Sequence, residues 1–217
     1  MKSVIRASVA LVAILAAAPV LAQELKIGLS AEPSAMDPHY HNLTPNNMLS
    51  RHIFEPLVSQ DEQQALKPGL AESWKAVDDT TWEFKLRKNV KFHDGSAFTA
   101  DDVIATMERA PNVPKSPSSF AAYTKGKTFE KVDDHTIRVK TASPYPLMAN
   151  DLSTFGIISK ACKATTTEEF NQAKCQGGTG PYKLAEFKHG DRVTMARNDA
   201  WWGGKPAWEK VSFRFMT

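Results

Sequence analysis

The residues of this chain that could do chemistry are few, and each invites a definite reading. Gly177-Gly178-Thr179-Gly180 could cradle an anion, since glycines let backbone N–H groups approach a phosphate. A phosphate loop then needs Lys and Ser or Thr after its last glycine, and here Pro181 follows, which has no N–H to donate. The run reads instead as a tight connection into a hairpin. His39 and His41 could face one side of an extended segment and hold a transition metal. Without a carboxylate pair beside them, they read as solvated loop histidines, and no metal site is assigned. His93 and Asp94 are adjacent at a strand end, so their side chains point to different sides and do not form an acid–base pair. GxSxG and HExxH are absent, as is a Cys–His arrangement with a free cysteine. Trp74, Trp82, Trp201, Trp202 and Trp208 could stack on a ligand. Trp82 falls on the buried face of its strand, and of the adjacent Trp201-Trp202 pair at most one ring should point inward, leaving an exposed partner.

The elements that must position these residues are written in periodicity and turn chemistry. Trp82, Phe84 and Leu86 alternate with Glu83, Lys85 and Arg87, the period of a strand with one buried face. Val90 and Phe92 follow, and His93-Asp94-Gly95 supplies a turn. Thr99 stands three residues before Asp102 as an N-cap, and Ala100, Val103, Ile104 and Met107 give the next helix one apolar face. Upstream, Leu25–Leu29 reads as a first strand, followed by a polar loop over 32–42 containing Pro33 and Pro38. Thr44-Pro45 reads as N-cap and first helical residue, with Met48, Leu49, Ile53 and Phe54 as the apolar face. Lys115–Ser119, among Pro111, Pro114 and Pro117, is a surface loop, and Thr136–Lys140 is another half-buried strand. Tyr182, Leu184, Val193 and Met195 flank the Lys188-His189-Gly190-Asp191 connection of a hairpin. Val211, Phe213 and Phe215 form a last strand with nothing after it, expected to be unpaired and prone to association.

Composition and the N-terminus bound the compartment. Lys2 and Arg6 precede an apolar run from Ala7 to Ala18, and Pro19-Val20-Leu21-Ala22 ends on small residues, the pattern of a signal peptide over residues 1–22 cut after Ala22. The chain of 217 residues has a net charge of +3, of which Lys2 and Arg6 carry two. Near neutrality with scattered lysines gives no case for nucleic acid. Cys162 and Cys175 are the only cysteines, and in an exported chain an even count favours a disulfide, worth about 3 kcal/mol for so short a loop.

Two blocks of the sequence, Ala71–Asp102 (AESWKAVDDTTWEFKLRKNVKFHDGSAFTADD) and Gly177–Pro206 (GGTGPYKLAEFKHGDRVTMARNDAWWGGKP), resemble in order and content the family 5 extracellular solute-binding proteins of peptide- and nickel-type ABC importers. The resemblance covers essentially all of residues 24–217. It implies a mixed α/β architecture: an N-terminal periplasmic-binding type 2 lobe over residues 23–217, carrying the extra peptide-binder subdomain at about 59–176. Members run more than twice this length, so the second lobe is expected to be missing. The implied function is capture of a peptide or similar small solute, by a monomer without cofactor or catalysis, for an inner-membrane ABC permease. The alternatives are a periplasmic hydrolase or peptidase using the same cleft, or a truncated product that does nothing. Carried over by motif, the cleft should be bordered by Glu32, Pro33, His39, Leu43, Thr44 and Asn46, with Leu152 and Phe155 from the subdomain.

Overall fold

The computed structural model describes residues 23–216, so the leader expected over residues 1–22 lies outside the described residues. A four-stranded sheet is built from β1 (Glu24–Leu29), β8 (Tyr182–Lys188), β9 (Arg192–Arg197) and β10 (Lys210–Phe215), in the order β1-β10-β9-β8. β10 runs parallel to β1 and antiparallel to β9. This corrects the expectation of an unpaired last strand. β10 is paired along both sides, and Val211 and Phe213 are buried because the strand is central.

A second four-stranded sheet joins β4 (Ala71–Asp78), β5 (Thr81–Leu86), β6 (Lys127–Asp133) and β7 (Thr136–Thr141) in the order β4-β5-β7-β6. A two-stranded ribbon, β2 (Val58–Gln60) and β3 (Leu66–Pro68), leads into it. Helix α2 (Ala100–Arg109) packs beside β6. Its Asp102 carboxylate accepts from the Thr99 backbone N–H at 2.8 Å, the acidic half of a capping box. The preceding turn forms as its residues dictate: Asp94 accepts from the Ser96 N–H at 2.9 Å, and Gly95 takes φ +88. Trp82 is only half-buried, packed on the core with its indole N–H on the Tyr145 carbonyl at 3.1 Å.

Helix α1 (Thr44–Ser50) is capped by Leu43, one residue earlier than expected, because Thr44 already has a helical backbone with Pro45 in the first turn. Met48 points outward, while Leu49, Ile53 and Phe54 are buried. Three single-turn α-helices, α3 (Ala121–Thr124), α4 (Met148–Asp151) and α5 (Thr167–Asn171), and two 3-10 turns, Ala110–Asn112 and Lys160–Cys162, complete the inventory among the described residues. No helix among the described residues is long and apolar enough to cross a membrane.

Two apolar cores divide the molecule. One gathers Leu57 to Ile157 around Phe84, Phe98, Phe120 and Leu152, and the other joins Met36, Leu49, Ile53 and Phe54 to Ile158, Cys162, Phe170 and the inner faces of β8, β9 and β10. The division falls at Ile157 and Ile158. From residues 158–176, Ile158, Cys162 and Phe170 pack in the core beneath β8, β9 and β10.

Candidate functional site

A cavity of about 520 Å³ opens where three irregular segments meet. The loop after β1 contributes Ser34 and Tyr40. The end of α2 and the proline-framed loop beyond it contribute Arg109, Val113, Pro114 and Lys115. The stretch leading into α5 contributes Ala164 to Glu168 and then Asn171. The lining is rich in hydroxyl and amide groups, the equipment for holding a polar molecule by hydrogen bonds.

Beneath it lies a buried polar hub. Arg109 grips Asp37 through two hydrogen bonds, Nη1 to Oδ1 at 2.9 Å and Nη2 to Oδ2 at 2.7 Å. Asp37 also accepts from the His39 backbone N–H at 3.0 Å and from the Thr167 hydroxyl at 2.8 Å. Burial pushes the Asp37 pKa up, but the hydrogen bonds and charge of Arg109 outweigh it, so the carboxyl titrates below its ordinary range. The Arg109 charge is thereby neutralised inside the protein, although the side chain lines the cavity. His39 is fully enclosed: its Nδ1 accepts from Arg109 at 2.9 Å, so Nε2 carries the proton and donates to the Gly156 carbonyl at 2.8 Å. Burial, with the Arg109 charge second, lowers its pKa to about 4, and the ring stays neutral near pH 7.

A polar stripe on α2 holds the third wall. Asp102, Thr106 and Arg109 recur at helical spacing, and all three are buried. They meet, in order, the Lys160 N–H at 2.8 Å, the Ile158 N–H at 3.0 Å and the Thr165 carbonyl at 3.0 Å. A segment without strand partners thus has its backbone satisfied by one helix face. Cys162 and Cys175 adjoin across this segment with Cα atoms 6.0 Å apart, within the range of a bridged pair.

None of the eight residues expected to border a cleft lines this cavity. His39, Asn46, Leu152 and Phe155 are buried in the fold, Asn46 against Ser34 and the Ala35 carbonyl, Leu152 and Phe155 in the first core. Pro33 is buried beside Ser34. Glu32 is held on the β8–β9 turn, accepting from His189 at 3.0 Å and from the Gly190 N–H at 3.1 Å. Leu43 and Thr44 are exposed away from the cavity. His41 bonds the Ser34 hydroxyl at 2.9 Å. From this loop Ser34 and Tyr40, the chain neighbours of Pro33 and His39, are the residues that reach the opening. Arg109 lies half a turn from the apolar face of Ala100, Val103, Ile104 and Met107, on the polar side with Asp102 and Thr106, so helical periodicity did not single it out. Lys115 and the threonine run left no periodic signal.

Away from this cavity, Trp201 and Trp202 both aim their indole N–H groups at Glu55, at 3.1 and 2.8 Å, and the Thr179 hydroxyl joins them at 2.9 Å. The expectation of one outward ring fails, because a single half-buried carboxylate accepts from both. Burial raises the Glu55 pKa against these three hydrogen bonds. The glycine run packs here as well: Gly180 donates to the Ile53 carbonyl at 2.9 Å, leaving no room for a side chain.

The model for bacterial extracellular solute-binding proteins, family 5, middle region, matches residues 65–217. The chain belongs to this family. Among curated relatives, the periplasmic murein peptide-binding protein MppA of Escherichia coli is 30% identical over 88% of this chain and 39% of its own length. Among solved structures, NikZ from Campylobacter jejuni in complex with Ni(L-His) superposes with a TM-score of 0.78 at 28% identity, covering 89% of this chain and 39% of NikZ. AppA from Bacillus subtilis, in complex with a nonapeptide, gives a TM-score of 0.78 at 26% identity over 90% of this chain and 40% of AppA. The mixed α/β fold of this family 5 chain is that of the periplasmic binding proteins, and the chain spans well under half the length of each relative.

Proposed function

We propose that this chain is the N-terminal part of an exported substrate-binding component of an ABC importer. Its cavity receives a peptide or related small solute for an inner-membrane permease. The observation that carries the reading is the charge arrangement of the cavity. Arg109 is cancelled by Asp37, so the charges left to a ligand are Lys115, which has no ion-pair partner among the described residues, and Glu168, held by Gln172 at 2.8 Å. A short peptide offers one carboxylate and one ammonium to such a pair, and its amides suit the hydroxyls of Ser34, Thr165 and Thr167. The names of the relatives, binders of murein peptide and oligopeptide among them, point the same way. Lys115 adopts φ +59 between Pro114 and Pro117, a left-handed conformation that costs a non-glycine residue about 1 kcal/mol and is found at ligand clamps.

In this reading the protein works in the periplasm as a monomer without cofactor or nucleic acid, after removal of residues 1–22, with Cys162 and Cys175 bridged. A peptidase in the same cleft is the competing reading, and it would reveal itself as cleavage of the probe. Amide chemical shifts followed during titration with trialanine test the site. We expect perturbations at Tyr40, Lys115 and Thr165–Asn171, and far smaller ones with N-acetyl-trialanine amide, which lacks both charges. Equal response to the two probes, or shifts confined to other surfaces, would contradict the proposal.

A further inference from the structure

The cavity wall from Ala164 to Asn171 lies inside the loop that Cys162 and Cys175 close. Apart from the single turn of α5, this loop has no regular structure. Three contacts tie it to the rest of the site: Arg109 Nη2 on the Thr165 carbonyl at 3.0 Å, the Thr167 hydroxyl on Asp37 at 2.8 Å, and the Met36 N–H on Asn171 Oδ1 at 2.8 Å. Phe170 is its one large apolar anchor, against Phe54 and the Arg109 guanidinium. The two ends of the loop are fastened to each other. Ser159 N–H donates to the Gly177 carbonyl at 2.9 Å, and Gly177 packs directly on the Cys162 and Cys175 sulfurs, where no side chain fits. Both sheets and nearly all of the two cores lie outside residues 162–175.

We infer that the Cys162–Cys175 bridge is a positioning element of the ligand wall rather than a staple of the fold. It rests on reading the cavity as the solute site. Opening the bridge frees residues 163–174, whose remaining attachments are those three contacts, the exposed Lys163–Glu108 ion pair, the Phe170 ring and the packing of Ala173, while every sheet hydrogen bond persists. The hydroxyl groups that face the ligand then lose their fixed spacing, and a ligand must order them on binding, which weakens it.

Hydrogen exchange on the intact chain tests this, beside a C162S/C175S variant and beside the wild type reduced with a dithiol. In that reduction, two electrons and two protons pass from the dithiol to the bridge, giving two thiols and a cyclic disulfide. Thiol labelling of the denatured, unreduced wild type comes first and should give no signal; two reactive thiols would end the proposal. In both opened forms, amides of residues 164–171 should exchange about a hundredfold faster, the scale of the loop entropy that the bridge removes. Amides of β8, β9, β10 and α2 should keep their rates, and trialanine should bind about tenfold more weakly. Parallel acceleration across the sheets would make the bridge a staple of the fold, and unchanged exchange at 164–171 would show that it positions nothing. If trialanine binds neither form, the solute-site reading fails and the ligand part of this inference falls with it, whereas segment-selective exchange still decides whether the bridge holds the wall.

Discussion

The hub of Asp37, His39 and Arg109 gives the molecule a pH dependence that can be worked out from its residues. His39 and His93 are both buried, with pKa values lowered to about 4 from an ordinary 6.5, and burial lowers His52 in the same direction. The unfolded chain therefore binds protons at these rings below pH 6.5 that the folded chain refuses until about pH 4. Stability is complete above pH 6.5 and is lost as the pH falls through that window, by about 3 kcal/mol for each of the two strongly shifted rings. Urea unfolding at a series of pH values should show at least two protons taken up on unfolding near pH 5, and one fewer in H39Q. A midpoint that does not move between pH 7 and 4.5 would contradict this. Residue-scale chemistry was the least legible part of the sequence. The pairing of Asp37 with Arg109 joins positions 72 residues apart, and nothing local marks either as the other's partner. His39 was noticed for its ligating nitrogens, but both are occupied by the fold.

At the scale of elements, what was legible is what short-range periodicity and turn chemistry decide. β5, β7, the β8–β9 hairpin and α2 lie where alternation, Asp-Gly and Thr-x-x-Asp place them. What failed depends on partners far away in sequence. β10 was taken for a bare edge because its parallel neighbour, β1, is 186 residues earlier in register, with Glu24 opposite Lys210. The two tryptophans were divided between inside and outside because Glu55 could not be seen to reach both. The polar stripe of α2 gives this scale its prediction. Thr106 serves the Ile158 N–H at 3.0 Å and its carbonyl at 3.3 Å, both buried. T106V keeps the volume and leaves these groups unpaired, so it should cost about 2–3 kcal/mol. A loss below about 0.5 kcal/mol in urea unfolding, the scale of an ordinary surface change, would show that the stripe does not support the segment.

At the scale of the whole molecule, the chain in the proposed reading presents one wall of a solute site, and it spans 39% of the length of MppA. A two-walled complex of micromolar affinity is worth about 8 kcal/mol; if this wall supplies half, binding to the chain falls in the millimolar range. The family and its fold were legible because two separated blocks carry them, whereas the site had to be located by where three irregular segments converge. The most direct measurement is photo-crosslinking. A tripeptide with free termini and a benzophenone side chain is irradiated with the chain, and the labelled residues are identified by peptide mapping. The account predicts labels within residues 33–40, 113–117 and 164–171, reduced by excess trialanine. Labels concentrated on the β4–β7 sheet or beside Trp201 and Trp202, or insensitive to competition, would contradict it.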